Sequence, residues 1–166
     1  MATRILFGMD PSFERVHTVN DHYDGPRSGI ADFRGAPHVY RAVFSEGADD
    51  WEPGLFELRP LSDTTFALAM ENWAIWQRFE ARHRAGEVVW SGIADEWGAL
   101  PEDLSRHREL AVALAHDLTI DSANRVLAHA EFRVVDSDEE FPSGVLRPLE
   151  VRWLPVESKT GPSNDR

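Results

Sequence analysis

The chain has no cysteine, which excludes disulfide scaffolding, thiol catalysis and cysteine-ligated zinc. Lysine is nearly missing as well: of 17 basic residues only Lys159 is a lysine, and the arginines are scattered in the manner of a GC-rich bacterial coding sequence. Basic charge is in deficit, with 29 acidic residues against 17 basic ones and a formal net charge of −12. Such a field repels phosphate backbones and anionic lipid headgroups, so neither nucleic acid nor a membrane surface is expected as a partner. No apolar run approaches the roughly 18 to 20 residues that a membrane-spanning helix needs. The opening MATRILFGMD holds too short an apolar patch for a secretory signal, so the expected address is the cytoplasm. Internal repeats and low-complexity tracts are absent too.

What is present is the material of a globular core. Hydrophobic residues make up 42% of the 166, with six Trp and nine Phe, enough to stabilise one domain without metal or disulfide. Residues 1–156 are expected to form a single α+β domain, and 157–166, ESKTGPSNDR, a flexible tail with nothing apolar to bury.

Period-two patterning from Phe13 to Tyr23 predicts a strand, broken by Asp24-Gly25-Pro26. Gly35-Ala36, between Arg34 and Pro37, fits the central pair of a type II′ hairpin turn. That turn would set Phe33 opposite His38 and Asp32 diagonal to Arg41, with which it would pair. An acidic loop from Ser45 to Gly54 precedes a strand at Leu55 to Leu61. A long helix is predicted from an N-cap at Ser62 or Asp63 to about Ala85, before Gly86. Its wide apolar arc, including Phe66, Trp73, Trp76 and Phe79, implies burial with two contacting layers. Pro101-Glu102-Asp103 opens a second helix ending near Leu118. Alternation returns from Val126 to Val134 and from Val145 to Trp153, with Pro148 implying an edge or a bulge in the final strand. The expected fold is therefore α+β, a mainly antiparallel sheet of about five to six strands with two helices packed against it.

Two clusters carry chemistry. The first is HYDGPRSGIADFRGAPHVY, residues 22–40, where Asp24, Arg27, Ser28, His38 and Tyr40 surround two turns. With Glu71, the one acid amid the helix's aromatic stretch, these residues would line an anion-binding pocket between the N-terminal hairpin and the long helix. Arg27 would hold the anion, and His38 or Glu71 would move a proton. The plainer role for Arg27 is to neutralise Asp24 within a structural turn. The loop lacks the lysine and spacing of a phosphate-binding P-loop, and no serine sits in a nucleophile-elbow pattern, so no catalytic residue is assigned. His17, His22 and His38 are spaced against convergence on one ion, so no metal or other cofactor is expected.

The second cluster is a pair of tryptophans set in acidic segments, Trp51 with Asp49 and Asp50, and Trp97 with Asp95 and Glu96. Aromatic anchors beside carboxylates suit a contact with a basic protein. On this reading the chain is a small acidic protein-binding module, acting as an inhibitor, immunity-type protein or adaptor. The small-molecule pocket is the alternative.

Overall fold

The computed structural model describes residues 12–89, 98–142 and 144–156. Its strands are β1 (Glu14–His22), β2 (Pro26–Phe33), β3 (Ala36–Ser45), β4 (Asp50–Pro60), β5 (Val126–Val134) and β6 (Leu149–Pro155). Among the described residues, two helices, α1 (Asp63–Arg84) and α2 (Leu104–Asp117), lie between β4 and β5.

The strands run in sequential order, each antiparallel to the next, and β6 returns to β1 through Glu14 opposite Val151 and Arg15 opposite Glu150. The result is a closed six-strand antiparallel barrel. This corrects the expectation of a sheet with helices packed against it: the molecule is mostly sheet, and the sheet buries one face against itself. Period-two alternation is the same for both arrangements, since either gives every strand one dry and one wet side. Nor is β6 an edge strand, because it pairs with β5 and β1, and Pro148 lies just before it, its carbonyl accepting from Val135 N at 2.9 Å.

The barrel interior is filled by side chains. Tyr40, Phe56, Phe132 and Trp153 meet with ring centroids 5.6 to 6.0 Å apart, surrounded by Leu58, Ala128 and Val151. The indole Nε1 of Trp153 donates to Asp32 O at 2.8 Å, so its polar atom is satisfied although the residue is buried. Gly29 lets the wall close. A Cβ there would stand 2.1 Å from Thr18 O and 2.7 Å from Tyr40 Oη, and across that gap the Tyr40 hydroxyl donates to Thr18 O at 3.1 Å. Thr18 Oγ1 in turn accepts from Ile30 N at 2.9 Å, within a stretch of irregular β1–β2 register that bends the wall. Gly29 thus belongs inside β2, not to the loop before it.

The β2–β3 hairpin turns on Arg34-Gly35, with φ of 55° and 77°, the double positive pair of a type I′ turn. The backbone N–H groups of Arg34 and Gly35 donate to the Glu14 carboxylate at 3.1 and 2.7 Å, which anchors a non-glycine residue in the left-handed region. The expected turn at Gly35-Ala36 is therefore one residue late. Phe33 faces Ala36 and Asp32 faces Pro37. The proposed Asp32–Arg41 pair does not form: Asp32 binds His17, while Arg41 Nε donates to the buried Glu57 at 2.8 Å, alongside Arg125 at 2.8 Å.

Helix α1 begins as expected, with Ser62 Oγ accepting from Thr65 N at 3.1 Å, and ends at Ala85 before Gly86 at φ 74°. At the start of α2 the Asp103 carboxylate leaves its cap position and takes Arg78 of α1 at 2.9 and 3.1 Å. The helices pack on one another and on the outside of the barrel through Ile30, Ala69, Ile75, Leu110 and Leu114, a second core distinct from the interior. The expected burial of Trp73 and Trp76 is only partly met. They stack face to face at 4.7 Å, Trp73 half-buried and Trp76 36% exposed. Strand β4 is longer than expected and contains Trp51, which shortens the acidic loop to the turn at 46–49. The tail 157–166 lies outside the described residues. Among the described residues no helix is long and apolar enough to cross a membrane.

Candidate functional site

A concavity of about 490 Å³ lies between the outer face of β1, helix α1 and the segment leading into β6. Its size is within the range of small-molecule sites. Strand alternation brings Arg15 and His17 to it, α1 contributes Trp73 and Gln77 one turn apart, and the third wall holds Arg147 and Glu150. His17 is fixed on two sides: Nε2 bonds Asp32 Oδ1 at 2.8 Å, and the ring meets Phe66 of α1 edge-on at 4.9 Å. With Nε2–H donating to the carboxylate, Nδ1 carries the lone pair, and it has no hydrogen-bond partner among the described residues.

Charge in this groove is unevenly committed. Glu14 is occupied by the two turn amides, and Glu150 by Arg133 at 2.8 Å. The Arg15 side chain has no hydrogen bond or ion pair among the described residues, and that of Arg147 has only the ring of Phe141, 5.6 Å away. Both acids are spent, and among the described residues neither guanidinium group has an acidic partner.

A smaller cavity of about 200 Å³ adjoins the groove, sharing Thr18, Val19 and Trp73 with it. It is bounded by Ile30 on the barrel, Trp76 on α1 and Leu114 on α2, and among the described residues no Asp, Glu, Lys or Arg lines it. His107 Nδ1 lies 2.7 Å from Asn72 Oδ1, and Asn20 Oδ1 accepts from the Thr18 hydroxyl at 2.7 Å.

The residues singled out from the sequence do not converge on either space. Asp24 is exposed and holds Arg27 in an ion pair at 2.5 Å, the structural role open to that turn. Arg27 also lies over the ring of Trp51 at 4.9 Å, and its Nε is buried without a hydrogen-bond partner among the described residues. Ser28 sits opposite Arg41 in the β2–β3 ladder and lines a third hollow, about 240 Å³, with Asn20 and Ile120. His38 is buried, its Nδ1 2.8 Å from Ala36 O and its ring edge-on to Phe33 at 5.2 Å. Tyr40 is wholly inside the barrel, and burial pushes its hydroxyl pKa upward. Glu71 is exposed and clamped by Arg106 at 2.7 and 2.9 Å, and those hydrogen bonds lower its pKa. Its position in the helix thus gives an ion pair and not a desolvated acid.

Of the acidic Trp clusters, Asp49, Asp50 and Trp51 are exposed at the β3–β4 turn, where Trp51 meets Phe44 edge-on at 5.2 Å. Asp95, Glu96 and Trp97 lie outside the described residues. Arg27 and Trp51, assigned from the sequence to rival sites, touch, which brings the β1–β2 and β3–β4 turns to one rim of the barrel. Sequence reasoning missed Arg15, Gln77 and Arg147, since nothing local separates an open arginine from a paired one. The sequence raises His17 only as a metal ligand; among the described residues no His, Asp and Glu side chains group to hold an ion.

No family model matches the chain, and neither the curated proteins nor the solved structures contain a match.

Proposed function

We propose that the groove between β1 and α1 binds a small anionic molecule. The observation that carries this reading is the charge balance of its walls: in a chain of net charge −12, this concavity presents two guanidinium groups without acidic partners among the described residues. Arginine recognises carboxylate or phosphate through paired N–H donors, and an anion here would meet Arg15 from β1 and Arg147 from the opposite wall. His17, oriented by Asp32, offers Nδ1 as acceptor to a ligand hydroxyl or amine and is the group able to take a proton from it. Trp73 supplies a flat apolar wall. The pocket expected from the sequence, between the N-terminal hairpin and the long helix, would be lined by Asp24, Arg27, Ser28, His38, Tyr40 and Glu71, none of which lines this groove.

Titration of the protein with inorganic phosphate and with propionate, followed by amide chemical shifts, tests the reading. Shifts should gather on residues 13–19 and 146–150, and Arg15→Gln or Arg147→Gln should each weaken binding by about tenfold, the worth of one charge-assisted hydrogen bond. Binding that survives both substitutions together unchanged overturns it.

A second reading is favoured by the rim. Phe44 at 45% and Trp51 at 36% exposure form an aromatic pair among exposed Glu46, Asp49, Asp50 and Glu52, a combination suited to a basic protein surface. An affinity pull-down from the native host, repeated with Trp51→Ala, tests it; recovery of the same partners by both proteins removes this surface from consideration.

A further inference from the structure

We infer that the ligand of the groove is two-part, an anionic head followed by an uncharged, flat or branched apolar body that lodges behind Trp73 in the adjoining cavity. This rests on the anion reading above and names the class of molecule that satisfies both spaces. The groove and the smaller cavity share Thr18, Val19 and Trp73, so a molecule held at Arg15 and Arg147 has a continuation available past the Trp73 indole.

The two spaces differ in chemistry. The groove is lined by charged residues, whereas the described walls of the cavity, among them Ile30, Ala69, Trp76, Leu114 and Leu118, carry no formal charge. Burying a second charge there would go uncompensated, so the body must be neutral. Its volume of about 200 Å³ suits a single ring or a short branched chain. The stacked Trp73–Trp76 pair, 4.7 Å between centroids, presents aromatic surface along the cavity wall, and a flat ring packs well against it.

The polar groups at the cavity are few and already half-committed. If His107 Nδ1–H donates to Asn72 Oδ1, as their 2.7 Å contact implies, Nε2 is left as an acceptor and the Asn72 amide N–H groups as donors. Asn20, whose Oδ1 is taken by Thr18, likewise keeps its N–H donors. These groups fit a neutral hydroxyl, amide or ring nitrogen on the body and give the cavity selectivity among apolar tails.

The test compares two probes by calorimetry and by amide shifts on the full chain: propionate and 3-phenylpropionate. The phenyl acid should bind on the order of tenfold or more tighter than propionate, the gain from burying a phenyl-sized group, and should shift residues of α1 and α2 that propionate leaves unmoved. Ala69→Leu, which fills the cavity, should abolish that advantage while propionate binding persists, and Leu114→Met, close in volume, should keep it. Equal affinity for propionate and 3-phenylpropionate overturns the two-part ligand and leaves the groove reading standing. Failure of every anion to bind overturns the groove reading itself. Phenyl acid binding that is tight but indifferent to Ala69→Leu, in a variant that melts as the parent does, also overturns the inference.

Discussion

Replacing Gly29 by alanine is the sharpest stability test of the barrel. The added Cβ would stand 2.1 Å from the backbone oxygen of Thr18, far inside van der Waals contact, and 2.7 Å from Tyr40 Oη. The nearer neighbour is backbone, so relief requires β1 to move away from β2. Overpacking of this kind costs about 1–3 kcal/mol. The displaced Thr18 carbonyl and Tyr40 hydroxyl would also lose their buried 3.1 Å bond, worth about 1–3 kcal/mol more when a buried polar group is left unpaired. The sum, about 2–6 kcal/mol, is a large share of a typical stability of about 5–15 kcal/mol. In a chain of this length it corresponds to a Tm lower by about 4–24 °C. Urea unfolding followed by tryptophan fluorescence gives the free energy, and a thermal melt by circular dichroism gives Tm. Gly35→Ala is the matched control: φ is 77° but no atom lies within 4 Å of a new Cβ, so only the left-handed backbone penalty applies, about 1 kcal/mol. If Gly29→Ala is no more costly than Gly35→Ala, Thr18 O does not approach Gly29 and the packing of this wall is refuted.

Other outcomes follow from particular contacts. Trp153→Ala should cost about 3–5 kcal/mol in urea unfolding, because the indole is buried in the aromatic cluster and bonded to Asp32 O, whereas Trp76→Ala at the exposed end of its stack should cost about 1 kcal/mol. A Glu71 carboxyl lowered from 4.5 contributes stability at pH values above the unfolded-state pKa and loses it as pH falls through the lower folded value; in Arg106→Gln, side-chain NMR should find the Glu71 midpoint moved upward. At the rim, neutralising Asp49 and Asp50 should lower the on-rate and salt sensitivity of binding to a basic protein, while Trp51→Ala should mainly raise the off-rate; a measured complex unmoved by either change is not formed there.

The sequence by itself determined the local elements and their chemistry. Ser62, Gly86 and the apolar period delimit α1 because a cap, a left-handed stop and a 3.6-residue stripe all act within a few residues of chain. Alternation marks β1, β5 and β6 for the same reason, a turn signal marks the β2–β3 hairpin, and the acidic excess is a property of composition alone. Barrel closure was decided elsewhere. It rests on Glu14 and Arg15 meeting Val151 and Glu150 from the far end of the chain, a pairing without local signature. The hairpin register likewise depends on the Glu14 carboxylate taking the amides of Arg34 and Gly35, 20 and 21 residues away, which lets a non-glycine residue occupy the first position of the turn. The same holds for the groove. Whether an arginine is open or paired depends on which carboxylates the fold brings to it: Glu71 is claimed by Arg106 and Glu150 by Arg133, while Arg15 and Arg147 are left without an acid among the described residues. Residue type fixes what a side chain can do, but only tertiary structure assigns its neighbours, because electrostatic and hydrogen-bond energies depend on distances between groups far apart in sequence.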